Sequence, residues 1–278
     1  MKAFAQLNMI SNLVRRLARE TDEVRKSEFF KAYLNTAAKF WRYSYRNQLL
    51  IMAQYPFATR VAGFRAWQEI GRNVKKGSKA IRILAPCTKK IAREEKEANE
   101  KPESILTYFV PVCVFDVSQT DGRPLPSFDV ELEGSSQQWL LDSLLLYCKK
   151  LDIGVEFREF GVNNVYGYSK GGHIAINSRQ SVNSQASTMV HEIAHELLHT
   201  RHSQTTRQVM EIQAEGVAYV VAKALGVETK SPNYLALYDA DHKKILENLQ
   251  AISDTSRQIL DCVSSARAEN KIVMEVKA

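Results

Sequence analysis

Four of the six histidines in this 278-residue chain fall within the segment VHEIAHELLHTRH at positions 190–202. The surrounding residues predict a helix that begins near Ser184, and a helix places His191 and His195, four residues apart, on one face. Two imidazoles at that spacing can bind one zinc ion, and Glu192 is then placed to act as a general base. The alternative is a pair of histidines on an ordinary amphipathic helix.

A catalytic zinc needs a third protein ligand and one open position. His199 is a poor candidate, because on a continuous helix it lies about 12 Å along the axis from His191. A turn that brought it closer would need a glycine, and none stands between His195 and His199. We therefore expect His199 and His202 to be groups at the helix end, where cations are favoured.

Two glutamates in the next predicted helix, VMEIQAEGVAYVVAKAL, are better candidates for the third ligand. Glu211 and Glu215 lie one turn apart in an otherwise apolar segment, where a carboxylate is costly without a partner. One can bind the metal while the other accepts a hydrogen bond from a liganding histidine. Spacing alone leaves the two roles open, and a solvated polar stripe is the alternative.

Charge divides the chain into two parts. Residues 1–126 hold 23 Lys and Arg against 12 Asp and Glu, whereas the remainder holds 15 against 19. The segment SQTDGRPLPS at 118–127 is the strongest boundary signal, so we predict domains at 1–126 and 127–278. A basic domain indicates a polyanionic partner, although an excess of charge can also be a solvated surface.

Other features narrow the class of protein. No apolar run approaches the roughly 18 residues needed to cross a bilayer, and no signal peptide opens the sequence, so we expect a cytoplasmic protein. The four cysteines are widely spaced without a CxxC pair. That spacing favours buried, reduced thiols over disulfides or a thiolate zinc site.

Periodicity predicts an α+β pattern in both parts. The first is helical to about Tyr55, then mixes strands with a helical turn over 57–85, and continues through a polar excursion at 89–104 to a strand at 108–117. The second has a helix capped by Ser135 or Ser136, three strands and a Gly171-Gly172 hairpin. Three further helices are predicted at about 182–201, 206–225 and 240–268.

Aromatic and basic side chains alternate in WRYSYRNQLLIMAQYP, residues 41–56. Single-stranded nucleic acid needs this combination, because stacking contributes about 1–3 kcal/mol per base while cations follow the phosphates. The turn from Gly71 to Lys79 adds closely spaced cations, without the spacing of a P-loop. Any of the aromatic residues can instead belong to the core. The candidate contacts are Trp41, Arg42, Tyr43, Tyr45, Arg46, Asn47, Gln48, Trp67, Arg72, Lys75, Lys76 and Lys79.

The segments HEIAHELLH at 191–199 and EIQAEGVA at 211–218 resemble the ImmA/IrrE-like zinc metallopeptidases, over about residues 150–226. The resemblance implies a zincin-like fold, peptide hydrolysis, Glu211 as third zinc ligand and Glu215 as its supporting residue. Many relatives carry Asn or Asp where this chain has Glu215, so the two roles could be exchanged.

The order of segments in the basic part, YRNQLLIMAQYPFATRVAGFRAWQEIGRNVKKGSKAIRILAP, a polar excursion and FVPVCVFDVSQTDGRPLP, is similar to the N-terminal single-stranded-DNA-binding domain of ArdC-like antirestriction proteins of mobile elements. The resemblance runs over about residues 5–226 and does not include the last helix. Many relatives have glycine where Ala80 stands. The chain is thus expected to be an α+β protein with an N-terminal domain that binds single-stranded DNA and a C-terminal zincin-like metallopeptidase domain.

Three functions are compatible with these features. The first is protection of incoming DNA from restriction by a protein that binds single-stranded DNA and hydrolyses a protein substrate with zinc. The second is a DNA-binding module whose zinc is structural and which protects DNA by coating it. The third is a regulatory peptidase that cleaves one specific repressor, with DNA as scaffold or trigger.

Overall fold

The computed structural model describes residues 2–90, 104–125, 138–161, 165–199, 205–227 and 241–277. It is a mixed α and β structure, 59% helical, which confirms the predicted α+β class. Its residues form two compact units, one of Met1–Arg15 and Arg46–Pro126, the other of Arg16–Tyr45 and Ser127–Ala278. Residues 16–45 therefore group with the C-terminal part, which differs from the predicted domain of residues 1–126.

The elements follow the predicted order. The described helices are α1 (Lys2–Arg19), α2 (Glu23–Lys39), α3 (Tyr45–Gln54), α4 (Phe64–Glu69), α5 (Gln138–Lys150), α6 (Val182–Leu198), α7 (Arg207–Ala224) and α8 (His242–Lys277). The strands are β1 (Val61–Gly63), β2 (Arg72–Val74), β3 (Ile81–Lys90), β4 (Ser104–Asp116), β5 (Thr120–Gly122), β6 (Gly154–Arg158), β7 (Gly167–Ser169) and β8 (His173–Asn177). Most of the predicted polar excursion and the two candidate caps of α5 lie outside the described residues.

The N-terminal unit contains two antiparallel sheets. One has the strand order β1-β4-β3, and the other pairs β2 with β5. Ile81, Ile83 and Val114 are buried on one face of the larger sheet, and Arg82 and Cys113, which pair on the opposite face, are exposed. Leu84 on that opposite face is also buried, so both faces of the sheet are partly covered.

Helix α3 closes the free edge of β3. The carboxamide of Asn47 donates to the carbonyl of Leu84 and accepts from its N–H, both at 2.8 Å. Gln54, two turns later, pairs in the same way with the backbone of Arg82 at 2.9 and 3.0 Å. Unpaired edge groups are thereby bonded to side chains instead of to another strand.

The C-terminal unit contains a three-stranded sheet in which β8 lies between β6, parallel to it, and β7, antiparallel to it. The predicted hairpin joins β7 and β8, with positive φ at Gly171 and Gly172. The N–H of Gly172 donates to Oε2 of Glu196 on α6 at 2.6 Å, which ties the hairpin to the histidine-bearing helix. A Cβ at Gly167 would lie 2.6 Å from Cγ2 of Thr188, so β7 approaches α6 closely.

Helices α2, α7 and α8 pack together within the same unit. The hydroxyl of Tyr33 on α2 donates to the carbonyl of Leu249 on α8 at 3.0 Å. The hydroxyl of Tyr219 on α7 donates to Oδ1 of Asn35 at 2.8 Å. These contacts explain why the 16–45 segment groups with the C-terminal part of the chain: the apolar and tyrosine face of α2 is buried on α7 and α8.

Within the described ranges, none of the helices is both long enough and apolar enough to cross a membrane. The four cysteines are free thiols, as expected, but Cys148 is the one that is fully buried. Cys113 is exposed, which corrects the expectation that all four are buried, because its side chain lies on the outer face of the β3–β4 pair.

Candidate metal centre and nucleic-acid surface

Helix α6 brings the two histidines of the HExxH motif together, as its spacing predicts. The helix begins after Ser181, whose hydroxyl accepts from the N–H of Ser184 at 3.3 Å and so satisfies one of the free donors of the first turn. The Nε2 atoms of His191 and His195 are 3.0 Å apart. Both imidazoles therefore point to the same place.

Helix α7 supplies the third group, Glu211. Its Oε2 lies 3.4 Å from Nε2 of His191 and 3.6 Å from Nε2 of His195. Donor atoms around a tetrahedral zinc at 2.0–2.1 Å are separated by about 3.3 Å, so the three atoms fit a single divalent ion. Among the described residues, this is the cluster of three potential ligands that can share one ion, and Glu215 is not a member of it. The metal role of Glu215 stays a prediction.

The electrostatics of the cluster favour metal binding. Burial lowers the pKa of His191 and His195, although the nearby Glu211 carboxylate opposes this effect. A lowered pKa keeps the imidazoles neutral, and the neutral form is the one that coordinates a metal. The donor set of two neutral imidazoles and one carboxylate is typical of zinc and also accepts other divalent ions.

Glu192 lies next to the cluster and is only 6% exposed. The pKa of its carboxyl is raised to about 7, chiefly by burial and in part by the nearby carboxylates of Glu211 and Glu196, although hydrogen bonds from the hydroxyl and N–H of Ser169 oppose this rise. A carboxyl group that titrates near neutrality is suited to accept and return a proton at neutral pH. Ser169 on β7 thus fixes the orientation of Glu192, a role that no sequence signal indicated.

His199 stands at the end of α6, as predicted for a helix-end group. It is the C-cap residue, and its Nε2 lies 3.2 Å from the carbonyl oxygen of Met210 on α7. This contact bridges the end of α6 to the start of α7 and so helps to hold Glu211 near the histidines. His202 lies outside the described residues.

Four of the twelve predicted nucleic-acid contacts are buried in this structure. Tyr45 and Gln48 face the interior, and Asn47 is held against Leu84 on the edge of β3. Trp67 is 2% exposed, and its indole N–H donates to the carbonyl of Phe115 at 2.9 Å. These side chains lack the exposed ring or amide edge that a base would need.

Arg72, the first cation of the Gly71–Lys79 turn, also has a structural role. The guanidinium of Arg72 donates to the carbonyl of Thr120 at 2.9 Å and to the carbonyl of Arg123, and so braces the β2–β5 pair. The ammonium of Lys75 donates to the carbonyl of Ser118 at 3.1 Å and also lies 3.4 Å from Asp121. Lys76 and Lys79 are exposed. Of the cations in this turn, these two are the best placed for phosphates.

The aromatic candidates at 41–43 lie in the C-terminal unit and not with the basic turn. The guanidinium of Arg42 stacks 4.3 Å from the ring centroid of Trp41. Arg257 of α8 donates to the carbonyls of Trp41 and Tyr43 at 3.1 and 2.7 Å and so fixes the path of this loop. Arg42 and Arg46 are exposed, while Trp41 and Tyr43 are half-buried.

Two family models match the chain in the order of its two parts. Residues 5–115 match the N-terminal domain of anti-restriction factor ArdC, and residues 148–244 match the IrrE N-terminal-like domain. The chain thus resembles the ArdC N-terminal domain in its first part and the IrrE N-terminal-like domain in its second. This result confirms the resemblance that the sequence motifs indicated.

Two crystal structures are similar to this chain, and the first of them has the same fold. The metal-free crystal structure of the antirestriction ArdC protein from the R388 plasmid aligns with a TM-score of 0.51 at 16% identity and covers 81% of this chain and 84% of that one. The Mn(II)-bound crystal structure of the same protein aligns with a TM-score of 0.48 at 16% identity over 80% of this chain and 87% of that one.

A curated relative is longer than this chain. An uncharacterised protein of Bacillus anthracis is 25% identical over 84% of this chain and 48% of its own length. The chain thus spans about half the length of the curated relative that it matches.

The N-terminal unit also exposes aromatic side chains that are not among the twelve predicted contacts. Phe57, Phe64, Tyr108 and Phe109 are all more than a third exposed. Tyr108 and Phe109 stand at the start of the predicted strand at 108–117, where alternation would assign one of them to the covered face. Two consecutive aromatic residues at the start of this strand were therefore the available signal in the sequence.

Proposed function

We propose that the chain binds single-stranded DNA through its N-terminal domain and hydrolyses a protein substrate at a zinc centre in its C-terminal domain. By analogy with the antirestriction ArdC protein of the R388 plasmid, the biological role is protection of DNA from restriction. The observation that carries this proposal is the convergence of His191, His195 and Glu211 beside the buried carboxyl of Glu192.

The ligand set favours zinc. Two imidazole nitrogens and one carboxylate oxygen, at separations of 3.0 to 3.6 Å, suit a tetrahedral ion with one open position. When bound, zinc supplies Lewis-acid polarisation of a peptide carbonyl and lowers the pKa of water.

Glu192 provides the proton transfer. Its carboxylate would accept a proton from the attacking water and return it to the leaving amine, as a general base and then a general acid. Ser169 holds the carboxylate in place through two hydrogen bonds, and burial of Glu192 excludes bulk water from that side. These interactions prepare the group for its role before a substrate binds.

The charge of the N-terminal domain supports DNA binding. Residues 1–126 carry 23 basic and 12 acidic side chains. Lys76 and Lys79 lie on a turn with positive φ at Gly77, and among the described residues neither ammonium has an ion-pair partner, so both can contact phosphates. Exposed aromatic rings in the same unit offer surfaces on which bases can stack. The bases of a single strand are free to stack on these rings, whereas the bases of a duplex are already paired and stacked.

One experiment tests both domains. Binding of the purified protein to a labelled single strand and to the matching duplex is measured across a salt series, with metal content determined on the same sample. We expect a salt-sensitive preference for the single strand and one zinc per chain. If the protein contains zinc but does not bind DNA, the nucleic-acid half of the proposal is wrong and only the proposed peptidase activity stands.

Charge variants make the binding test specific. Replacing Lys76 and Lys79 by alanine should flatten the plot of log affinity against log salt by about 0.7 for each lost phosphate contact. The matched control replaces Lys149 and Lys150, an exposed pair at the end of α5, and should leave the slope unchanged. Equal slopes in both double variants would exclude the Gly71–Lys79 turn from the DNA surface.

The catalytic half is tested with Glu192→Gln. We expect this variant to keep zinc and DNA binding and to lose hydrolysis, because the amide cannot accept the proton of the attacking water. Hydrolysis that survives the substitution contradicts the assignment of the base. If the variant protects DNA as well as the parent does, protection arises from DNA binding alone and the zinc is structural.

A further inference from the structure

Two glutamates of α6 hold the same hairpin. Glu192 accepts hydrogen bonds from the hydroxyl and the N–H of Ser169 on β7. Glu196, one helical turn later, accepts a hydrogen bond of 2.6 Å from the N–H of Gly172 in the turn between β7 and β8. Because residues four apart lie on one face of a helix, the two carboxylates approach the hairpin side by side.

The hydrogen bonding of the hairpin directs the N–H of Ser169 toward Glu192. The N–H of Lys170 donates to the carbonyl of His173 at 2.8 Å, so these residues form the hydrogen-bonded pair that closes the turn. Such pairs alternate with non-hydrogen-bonded pairs along an antiparallel ladder, and Ser169 lies opposite Ile174 in the next pair. The N–H of Ser169 therefore points away from β8, and its alignment with Glu192 depends on where the turn is held.

Gly172 is a point at which this turn is held. Its carbonyl accepts from the N–H of Gly154, the first residue of β6, at 2.9 Å, while its N–H donates to Glu196. The φ angles of Gly171 and Gly172 are 51° and 86°, and a type I′ turn requires positive values at both central positions. A hydrogen bond to an ionised carboxylate is about twice as strong as one between neutral groups. Glu196 thus fixes the turn firmly to α6.

The position of the turn determines the position of β7. The strand has three residues, Gly167–Ser169. At its start, a Cβ on Gly167 would lie 2.6 Å from Cγ2 of Thr188 on α6, so the strand has no room to move closer to the helix there. Past its end, the bond between Gly172 and Glu196 keeps the hairpin from moving away. Ser169 lies between these two restraints.

We infer that Glu196 is a positioning residue for the general base, because its bond to Gly172 keeps Ser169 aligned with Glu192. The inference rests on the proposed peptidase function. Glu196 acts through the hairpin, so the position requires a hydrogen-bond acceptor and does not require a negative charge. An uncharged acceptor on a side chain of the same length should therefore replace it.

A matched pair of substitutions separates the acceptor from the charge. Glu196→Gln and Glu196→Met both remove the charge, and both introduce an unbranched side chain that favours a helix. The glutamine keeps a carbonyl oxygen that can accept the N–H of Gly172, whereas the methionine offers only a weak sulfur acceptor. Amide hydrogen exchange at Ser169 and Gly172 is then followed by NMR on the isotope-labelled full chain.

The inference predicts that both amides respond together. In Glu196→Met, exchange at Gly172 and at Ser169 should be faster than in the parent by about 10- to 100-fold, since one charge-assisted hydrogen bond is lost. Glu196→Gln should stay close to the parental rates. Glu192→Met should accelerate exchange at Ser169 alone, because Glu196 still holds Gly172. Faster exchange at Gly172 with parental exchange at Ser169 in Glu196→Met would mean that Glu196 anchors the turn without positioning the base, and the inference would be wrong.

A control distinguishes this effect from a general loss of stability. Tyr219→Phe removes the hydrogen bond of 2.8 Å to Asn35 in the same unit and should leave both amides at their parental rates. If Tyr219→Phe accelerates exchange at Ser169 as much as Glu196→Met does, the response is a loss of overall stability and contradicts the inference.

Hydrolysis separates the inference from the proposed function. With the zinc-loaded protein and unfolded casein as the probe, Glu196→Met should lower kcat by about 10- to 100-fold at unchanged KM, and Glu196→Gln should retain the parental kcat. The zinc content of the two variants should be equal, since both lack the charge. If Glu196→Met hydrolyses casein with the parental kcat, the inference is wrong and the peptidase function stands. If the amides respond as expected but the parent does not hydrolyse casein, the alignment of Glu192 by Glu196 is supported and the failure lies with the proposed hydrolysis.

Discussion

Asn47 pairs with the backbone of Leu84 through two hydrogen bonds of 2.8 Å, one donated and one accepted. Asn47→Ala leaves a buried N–H and a buried carbonyl without partners, and each loss costs about 1–3 kcal/mol. We therefore expect a decrease of about 2–6 kcal/mol in the free energy of unfolding, measured by denaturant titration.

The control for that prediction is Lys76→Ala, an exposed change that should alter stability by less than about 0.5 kcal/mol but weaken DNA binding. Asn47→Ala should lower stability, but the fraction of the variant that is folded should bind DNA as tightly as the parent. If Asn47→Ala leaves stability unchanged and weakens DNA binding, the original assignment of Asn47 as a DNA contact is correct and the structural role is wrong.

Local signals in the sequence predicted local structure well. The HExxH helix, the Gly171-Gly172 hairpin and the end of the first helical region near Pro56 all depend on residues close together in the chain, and each is present. The convergence of Glu211 on the histidines was reached through motif resemblance, because spacing could not choose between Glu211 and Glu215.

Features that depend on distant residues could not be predicted from the sequence. Asn47 looks like a surface residue until the edge of β3 is placed beside it, and Arg72 looks free until β5 supplies its carbonyl partners. Residues 16–45 carry a helical pattern that fits either part of the chain. Packing on α7 and α8 determines that they belong to the C-terminal unit. Net charge located the basic part but could not identify which cations are already engaged.

The roles of the two glutamates on α7 can be separated by metal content. Oε2 of Glu211 lies 3.4 Å from Nε2 of His191, so Glu211→Ala removes one of the three proposed ligands. We expect this variant to bind zinc far more weakly than the parent. If Glu215 supports a ligand from outside the coordination sphere, Glu215→Ala should weaken zinc binding by about 10–100-fold. Competition with a chromogenic chelator measures both.

An exposed glutamate is the control for these substitutions. Glu247→Ala on α8 removes a carboxylate that, among the described residues, forms a surface pair with Lys243, and zinc affinity should stay at the parental value. If Glu215→Ala abolishes zinc binding while Glu211→Ala retains it, the two glutamates have exchanged roles.

Asp116 should make stability depend on pH in the N-terminal unit. The residue is 1% exposed, and burial raises the pKa of its carboxyl, but hydrogen bonds from Thr59, Arg60 and Ser118 outweigh burial and lower it overall. Because the folded pKa is below the unfolded value of about 3.9, the ionised carboxylate stabilises the fold above that pH. This contribution is lost as the pH falls through the folded pKa.

Asp116→Asn tests the sign of that dependence. The amide cannot accept on both of its atoms, so at pH 7 we expect a loss of about 2–4 kcal/mol in the free energy of unfolding. The difference between parent and variant should narrow as the pH falls below about 4, because the parent then loses its charged acceptor. A difference that is constant from pH 7 to pH 3 would show that the charge of Asp116 contributes nothing.

The close approach of β7 to α6 gives the last prediction. A Cβ at Gly167 would lie 2.6 Å from Cγ2 of Thr188 and 3.0 Å from the carbonyl oxygen of Ala175, so Gly167→Ala must displace β7. We expect a loss of about 1–3 kcal/mol in stability, the usual cost of overpacking. Ser169 lies on the same short strand and holds Glu192, so hydrolysis should fall more than zinc binding. Thr188→Ser removes the clashing methyl group and should restore part of both losses in the double variant, as a double-mutant cycle measures. Additive losses in that cycle would mean that Thr188 does not limit the position of β7.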